Sequence, residues 1–179
     1  MAVERHVAPA RLTSARLRGE ATAPTHAEAL CALLGDPRVG RWLGGTATAA
    51  EVHARIVRDR AAWARDGFGL WTFFDRATGE PVGRGGLMPA AVDGDSTVEV
   101  AWAVRPERWG EGLATEIGSV SLEVAFRALR LPEVVAFTLP DNVASRRVME
   151  KLGMSYDGHT THAGLPHVLY RVTLPTMGD

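Results

Sequence analysis

The sequence predicts one domain of the mixed α/β (α+β) class, with a mostly antiparallel sheet flanked by helices. The hydrophobic period is helical at first, changes to the period of strands, and then alternates between the two. The chain has 179 residues, 46% of them apolar, which is enough to bury one core without disulfides or metals. No repeat or linker divides it, and we assign a loose leader to 1–11, the domain to 12–174 and a tail to 175–179.

The first third of the predicted domain is mainly helical. Arg16-Leu17-Arg18 is a candidate first strand. A helix is expected over about Thr25–Leu34, and Gly35-Asp36-Pro37 ends it. Another helix is expected from near Thr48 to Arg65, because Glu51 stands three residues after Thr48 and completes a capping box.

Three strands joined by short turns follow and predict an antiparallel meander. They are expected at Leu70–Phe74, Pro81–Met88 and Thr97–Val104. The glycine-rich stretch Gly83–Gly86 in the middle strand is typical of a bulge. The last strand alternates, so that one face carries Val98, Val100, Trp102 and Val104 and the other carries Thr97, Glu99, Ala101 and Ala103.

Helical periodicity returns after Gly112. Apolar residues from Leu113 to Val124 form one stripe, and Leu131-Pro132 ends this helix. A strand is expected at Val134–Leu139, followed by a short helix at Asn142–Leu152 that Asn142 caps. Two final strands are expected at Ser155-Tyr156 and His167–Leu174.

Charge and cysteine content exclude several kinds of function. The formal net charge is -1, so no overall basic field attracts nucleic acid or an anionic membrane. Cys31 is the only cysteine, which excludes an internal disulfide and four-thiolate zinc sites, and the histidines lack the spacing of metal ligands. The N-terminal residues lack the apolar core of a secretory signal, and no apolar stretch approaches the roughly 20 residues that span a bilayer. We therefore expect a cytoplasmic protein without a metal or a nucleic-acid partner.

The turn that follows Val104 carries the strongest chemical signal. It reads Arg105-Pro106-Glu107-Arg108-Trp109-Gly110-Glu111-Gly112-Leu113-Ala114-Thr115 and leads into a helix. Glycine lets the backbone approach a ligand closely, and the free N–H groups of a first helical turn form an anion site suited to a diphosphate. The segment 110–115 is therefore a candidate diphosphate site, with the Glu111 side chain pointing outward. A tight strand-to-helix turn without a ligand explains this segment equally well.

A second motif lies one strand further along the chain. Asn142, Ser145, Lys151, Gly153 and Met154 match the pattern Asn-x-x-Ser/Ala with a following Lys-x-Gly-Phe/Met, and 109–114 matches Gln/Arg-x-x-Gly-x-Gly/Ala. On these two motifs the chain resembles the GNAT N-acetyltransferases, in the branch of RimJ and RimL, the ribosomal-protein alanine acetyltransferases. The resemblance covers roughly residues 12–174. It implies a sheet of six to seven strands with a splayed central pair.

The resemblance also implies acetyl-CoA as acetyl donor. The residues that it assigns to the cofactor are Trp102, Ala103, Val104, Trp109, Gly110, Glu111, Gly112, Leu113, Ala114, Thr115, Asn142, Ser145 and Arg146. A backbone N–H at Ala103–Val104 would stabilise the oxyanion. Two departures from the family pattern stand out: Trp109 replaces the leading Gln/Arg, and Met149 stands where many relatives carry the tyrosine that protonates the leaving thiolate.

Two residues are candidates for proton transfer. Glu99 matches a glutamate that serves several relatives as general base, although an exposed strand residue is the competing interpretation. Ser145 is the candidate acid or hydrogen-bond partner of the sulfur, and an ordinary first-turn helix residue is the alternative. Arg146 and Arg147 either reach the CoA phosphates or lie on a solvated helix face.

The expected function is transfer of the acetyl group to a primary amine, on a protein N-terminus or a small molecule. Two alternatives stay open: a catalytically weak or inactive acyl-CoA-binding domain of the same fold, and a structural α/β domain without a cofactor. The acceptor is expected to contact the helices between about Thr25 and Arg65 and the hairpin around His159–His167. The resemblance also implies a possible homodimer, because a dimer is usual among relatives of this kind.

Overall fold

The computed structural model describes residues 6–174, which form one eight-stranded sheet flanked by five α-helices among these residues. The strands are β1 Arg11–Thr13, β2 Leu17–Ala21, β3 Leu70–Asp75, β4 Pro81–Val92, β5 Asp95–Val104, β6 Glu133–Thr138, β7 Ser155–His162 and β8 Leu165–Thr173. The helices are α1 Ala27–Leu34, α2 Pro37–Gly40, α3 Ala49–Asp66, α4 Leu113–Glu123 and α5 Val143–Lys151. A π-helical turn, Val124–Ala128, extends α4.

The strand order is β1-β2-β3-β4-β5-β6-β8-β7, and every neighbouring pair is antiparallel except β5 and β6. This confirms the predicted fold class. The sheet has eight strands rather than six to seven, because a short edge strand, β1, begins at Arg11 inside the predicted leader. Ala8 is also buried, and its N–H donates to the carbonyl of Gly67 at 2.8 Å. Residues 1–5 of the predicted leader and the tail 175–179 lie outside the described residues.

Local capping signals set the helix ends as predicted. The Thr48 hydroxyl accepts from the backbone N–H of Glu51, and the Glu51 carboxylate accepts from the backbone N–H of Thr48 at 2.7 Å. Gly67 ends α3 in the left-handed conformation, with φ of 77°. Each group satisfies a backbone donor or acceptor that the helix itself leaves free.

The glycine run of β4 allows close packing and does not itself form the bulge. The register with β3 shifts at Val82, because Phe73 pairs with Gly83 and Phe74 with Pro81. A Cβ on Gly83 would lie 2.2 Å from the carbonyl oxygen of Ala103, and one on Gly85 would lie 2.4 Å from Ile117. The backbone of β5 and the helix α4 therefore approach β4 more closely than any side chain would permit.

The two faces of β5 contact different parts of the molecule. Val100 and Val104 are buried in the main core with Leu113 and Ile117 of α4. On the other face, Ala103 packs against the smaller core formed by α1, α2 and α3. Because side chains alternate along a strand, Glu99 and Ala101 share the face of Ala103. The sheet thus separates the α4 side from the α3 side.

The parallel strands β5 and β6 splay apart. Their register consists of one pair, Glu99 with Val135, whereas β6 pairs with β8 along its whole length. Beyond Glu99, the segment 100–104 has no backbone pairing with β6. The predicted splay of the central pair is therefore present, and it opens a gap through the sheet from one side to the other.

Candidate functional site

A cleft of about 930 Å³ runs through this gap and along both edges of it. The predicted catalytic and cofactor-binding residues that line it are Glu99, Trp102, Ala103, Val104, Trp109, Gly110, Gly112, Leu113, Ala114, Thr115, Asn142 and Ser145. Glu111 and Arg146 do not line it. The two sequence motifs, which lie some thirty residues apart, thus meet around one cavity.

The two-glycine turn presents a row of free backbone donors to the cleft. Gly110 and Gly112 have φ of 84° and 79°, a conformation that other residues avoid, and Gly112 is the N-cap of α4. None of the N–H groups from Gly110 to Thr115 donates to another described residue. A run of free N–H groups at the start of a helix binds anions, since the helix dipole adds to the same potential. The turn therefore fits a diphosphate.

Three side chains hold this turn in place. The indole N–H of Trp109 donates to the carbonyl of Val104 at 2.7 Å, so the turn is fixed to the end of β5. Arg108 donates to the Glu111 carboxylate at 2.8 Å, which keeps that carboxylate outside the cleft, as predicted. Arg16 donates to the carbonyl of Glu111 at 2.9 Å and forms an ion pair with Glu116. Sequence reasoning missed Arg16, because it lies 95 residues from its partner.

The edge of β5 offers free backbone groups to the gap. The carbonyl of Ala103 faces β4, as its approach to Gly83 requires, and the N–H of Arg105 donates to Val82 on the same side. Successive backbone groups of a strand point to opposite sides. The groups of Trp102 and Val104 therefore point into the gap. The indole of Trp109 already donates to the carbonyl of Val104. The N–H of Val104 and the N–H and carbonyl of Trp102 remain available for an extended ligand.

Glu99 is a buried carboxyl group at the point where the two strands part. The residue is 8% exposed, and burial raises the pKa of its carboxyl group to about 8. No described residue forms a hydrogen bond or ion pair with this carboxyl group, and it lines the cleft on the α3 face of β5. A carboxyl group that titrates near neutral pH beside a cavity is suited to proton transfer.

Asn142 and Ser145 contribute in different ways. The amide oxygen of Asn142 accepts from the N–H of Ser145 at 3.2 Å, and its amide nitrogen donates to the Thr138 hydroxyl at 3.0 Å. Asn142 thus caps α5 and ties it to β6. The hydroxyl of Ser145 has no partner among the described residues and lines the cleft. Met149, one turn further on, is 1% exposed and supplies no proton donor.

Arg146, another predicted cofactor residue, does not line the cleft, and its side chain contacts other parts of the chain. Its guanidinium donates to the Tyr170 hydroxyl at 3.4 Å and to the carbonyl of Pro140 at 3.3 Å. Its assignment to the cofactor therefore stays a prediction, which the position of this side chain does not support. The next residue on α5, Arg147, lines the cleft instead, together with Lys151 one turn later. The helical period decides between neighbours only when the orientation of the helix is known, and the sequence did not give it.

The α3 end of the cleft holds charged groups that sequence reasoning missed. Arg55, Arg58 and Asp59 of α3 line it together with Arg84 of β4, and Asp59 and Arg84 form an ion pair at 2.9 Å. The side chains of Arg84 and Asp59 are largely buried. Because burial disfavours the charged form, it lowers the pKa of Arg84 and raises the pKa of Asp59. Trp42, Phe137, His162 and His167 complete the wall.

A splayed parallel strand pair beside a two-glycine helix start is the arrangement expected of an acetyltransferase fold. The chain also matches the family model described as "Acetyltransferase (GNAT) domain" over residues 16–155. It belongs to the GNAT acetyltransferase family and is an acyltransferase enzyme. Acetyltransferases of this fold use acetyl-CoA, and the free N–H groups at 110–115 fit its diphosphate.

The chain is also similar to individual proteins and solved structures. YkkB of Bacillus subtilis (strain 168), an uncharacterized protein, is 28% identical over 124 residues, which cover 69% of this chain and 72% of YkkB. The crystal structure of an acetyltransferase from Agrobacterium tumefaciens superimposes with a TM-score of 0.80 at 24% identity, over 92% and 94% of the two chains. RimL, a ribosomal protein acetyltransferase solved with coenzyme A, superimposes with a TM-score of 0.72 at 15% identity, over 94% and 98%. At these identities the two solved structures support the fold.

The described part of the chain holds no group of three or more His, Cys, Asp or Glu side chains arranged to bind a metal ion. Within residues 6–174, every helix is too short or too polar to cross a membrane.

Proposed function

We propose that this protein transfers the acetyl group of acetyl-CoA directly to a primary amine, on a protein N-terminus or a small molecule. The observation that carries the proposal is the row of free N–H groups from Gly110 to Thr115, which leads into the gap between β5 and β6. A diphosphate bound at the turn would direct its attached arm into that gap. The arm would then end beside Glu99.

The proposed cofactor contacts follow the cleft. The diphosphate accepts from the N–H groups between Gly110 and Thr115, and Arg147 and Lys151 attract the phosphates. The pantetheine arm pairs with the free groups of Trp102 and Val104 in the manner of an added strand. Small Ala103 leaves room on the α3 face for the thioester.

Glu99 is the proposed general base. Amines have reference pKa values of about 7.7 to 10.4, so most of the acceptor is protonated near neutral pH. A base whose own pKa is about 8 is well matched to the removal of this proton, directly or through water. Attack by the neutral amine places negative charge on the thioester oxygen, and the N–H of Val104 is the proposed donor that stabilises it. Ser145 is the proposed donor to the leaving sulfur.

The alternative is a domain that binds acyl-CoA and catalyses weakly or not at all. Met149 favours it, because a buried methionine replaces the tyrosine that serves many relatives as acid. A ribosomal-protein substrate has only the likeness to RimL, at 15% identity, as its support. Membership of the RimJ and RimL branch therefore stays a prediction, and so does a cytoplasmic location.

Thermal unfolding and thiol release test the proposal together. Acetyl-CoA at 100 times its dissociation constant stabilises the folded state by about 2.7 kcal/mol. We expect this stabilisation together with amine-dependent thiol release. Ser145→Ala should reduce the rate of thiol release, whereas the control Ser119→Ala, at an exposed position, should leave it unchanged. Stabilisation without thiol release from any amine would favour the binding domain. Absence of both would contradict the proposed function.

A further inference from the structure

The α3 end of the cleft carries more positive charge than its own carboxylates balance. Arg84 pairs with Ala103 across the sheet, and paired residues share a face, so Arg84 lies on the side of Glu99 and away from the diphosphate turn. Arg55 and Arg58 reach the same part of the cleft from α3. Three guanidinium groups thus line the α3 end of the cleft, where the acceptor is expected to bind.

The negative charges at this end are too few to neutralise them. Asp59 and Glu99 are the carboxyl groups that line the cleft, and Asp59 is paired with Arg84. Glu99, with a pKa of about 8, is mostly neutral at pH 7. No described carboxylate lies within 4.0 Å of Arg55 or Arg58, and Glu51, one turn before Arg55, is held by Thr48 at the start of α3.

The buried member of this cluster, Arg84, is sensitive to the positive charges around it. The side chains of Arg84 and Asp59 are only 12% and 17% exposed. Desolvation lowers the pKa of Arg84, and the neighbouring charges of Arg55 and Arg58 lower it further. An anionic ligand group in this part of the cleft would offset the repulsion and form charge-assisted hydrogen bonds.

We infer that the acceptor amine also carries an anionic group, a carboxylate or a phosphate, which binds between Arg55, Arg58 and Arg84 while the amine faces Glu99. The inference rests on the proposed acetyl transfer and narrows its acceptor. Polycationic amines are poor acceptors, because these arginines repel them.

Matched pairs of amines test the inference by thiol release from acetyl-CoA. The pairs are γ-aminobutyrate and its amide, phosphoethanolamine and ethanolamine, and the peptides Ala-Glu-Ala and Ala-Gln-Ala with amidated C-termini; spermidine represents the polycations. We expect a kcat/KM about tenfold or more higher for at least one anionic member than for its neutral partner, a difference that corresponds to about 1.4 kcal/mol. The pair with the larger ratio separates phosphate from carboxylate.

Arg55→Gln and Arg58→Gln should each reduce this ratio, and the double replacement should bring it close to one. Arg60→Gln is the matched control, because Arg60 lies on the same helix, is exposed and does not line the cleft. Equal or better turnover of neutral amines or spermidine would overturn the inference and leave acetyl transfer intact. If the wild-type protein binds acetyl-CoA but acetylates none of the anionic amines, the inference about the acceptor is overturned too. If the wild-type protein does not bind acetyl-CoA, the proposed function itself is overturned.

Discussion

At the scale of single residues, Glu99 combines burial, lack of a charged partner and access to the cleft. The sequence predicted it as a candidate base from its place in the strand. Its raised pKa depends on the α3 side covering that face of β5, which is a property of the fold. The pKa of Glu99 and its effect on turnover can therefore be measured directly.

Replacing Glu99 with Gln should lower kcat/KM by about 10² to 10⁴-fold, the usual contribution of a general base. The wild-type kcat/KM should rise with pH through about 8, because only the ionised carboxylate accepts a proton. The variant should lack that ionisation and retain only the one of the amine. Thiol-release kinetics across pH 6 to 10 with one amine measures both, and an unchanged profile would remove Glu99 from the mechanism.

The same carboxyl group should make stability depend on pH. Its pKa is about 8 in the folded state against an ordinary 4.5, so the folded state favours the neutral form. The resulting stabilisation is fully present below pH 4.5 and is lost as pH rises through 8. Relative to Glu99→Gln, the wild-type free energy of unfolding should fall by on the order of 5 kcal/mol across that window. Urea unfolding of both proteins at a series of pH values measures this difference. The same dependence of the free energy of unfolding on pH in both proteins would refute the prediction.

Other residues of the site could not be predicted from the sequence. Arg147 replaces Arg146 in the cleft because the angle of α5 about its own axis is fixed by Met149 in the core and by the contact of Arg146 with Tyr170. Arg84 lines the cleft from β4, and Arg16 holds the carbonyl of Glu111 from the turn before β2, and no motif connects either residue with the site. Motifs identify backbone loops well, whereas side chains from distant elements carry no local signal.

At the scale of elements, the two-glycine turn is the part that the sequence predicted best. Both glycines adopt positive φ, and the helix begins at Leu113, as the pattern indicated. The capping residues Thr48 and Asn142 were equally informative, because a cap is a local interaction. The three-residue strand β1 was missed, since a segment of that length has no measurable period.

Gly112→Ala should weaken acetyl-CoA binding by tenfold or more. A Cβ at Gly112 meets only the end of the Arg16 side chain, at 3.8 Å, so the effect comes from backbone strain. The φ of 79° costs a residue other than glycine about 1–2 kcal/mol, and relief of this strain would turn the N–H groups away from the diphosphate.

Gly94→Ala is the control for this prediction. Gly94 has φ of 93° with open space around it, in the turn between β4 and β5 and outside the cleft lining. Both variants should lose similar thermal stability, and only Gly112→Ala should lose acetyl-CoA affinity in calorimetric titration. Equal affinities would show that the turn does not bind the diphosphate.

At the scale of the whole molecule, the arrangement depends on β5 bordering two compartments. One face packs on α4, whose first turn holds the proposed diphosphate site, and the other faces α3 and the arginines of the proposed acceptor end. The alternation of β5 was readable in the sequence. The splay was implied by family resemblance alone, because no local pattern distinguishes a paired strand edge from an open one. The domain limits of 12–174 stay a prediction.

In the proposed complex, the acetyl-CoA arm occupies the gap and pairs with the free edge of β5. Residue-resolved amide hydrogen exchange, with and without acetyl-CoA, measures this directly. We expect the amides of Trp102 and Val104 to exchange at least about tenfold more slowly when acetyl-CoA is bound, while those of Ala101 and Ala103, which face β4, are protected in both states. Unchanged exchange at Trp102 and Val104 with acetyl-CoA demonstrably bound would contradict the account.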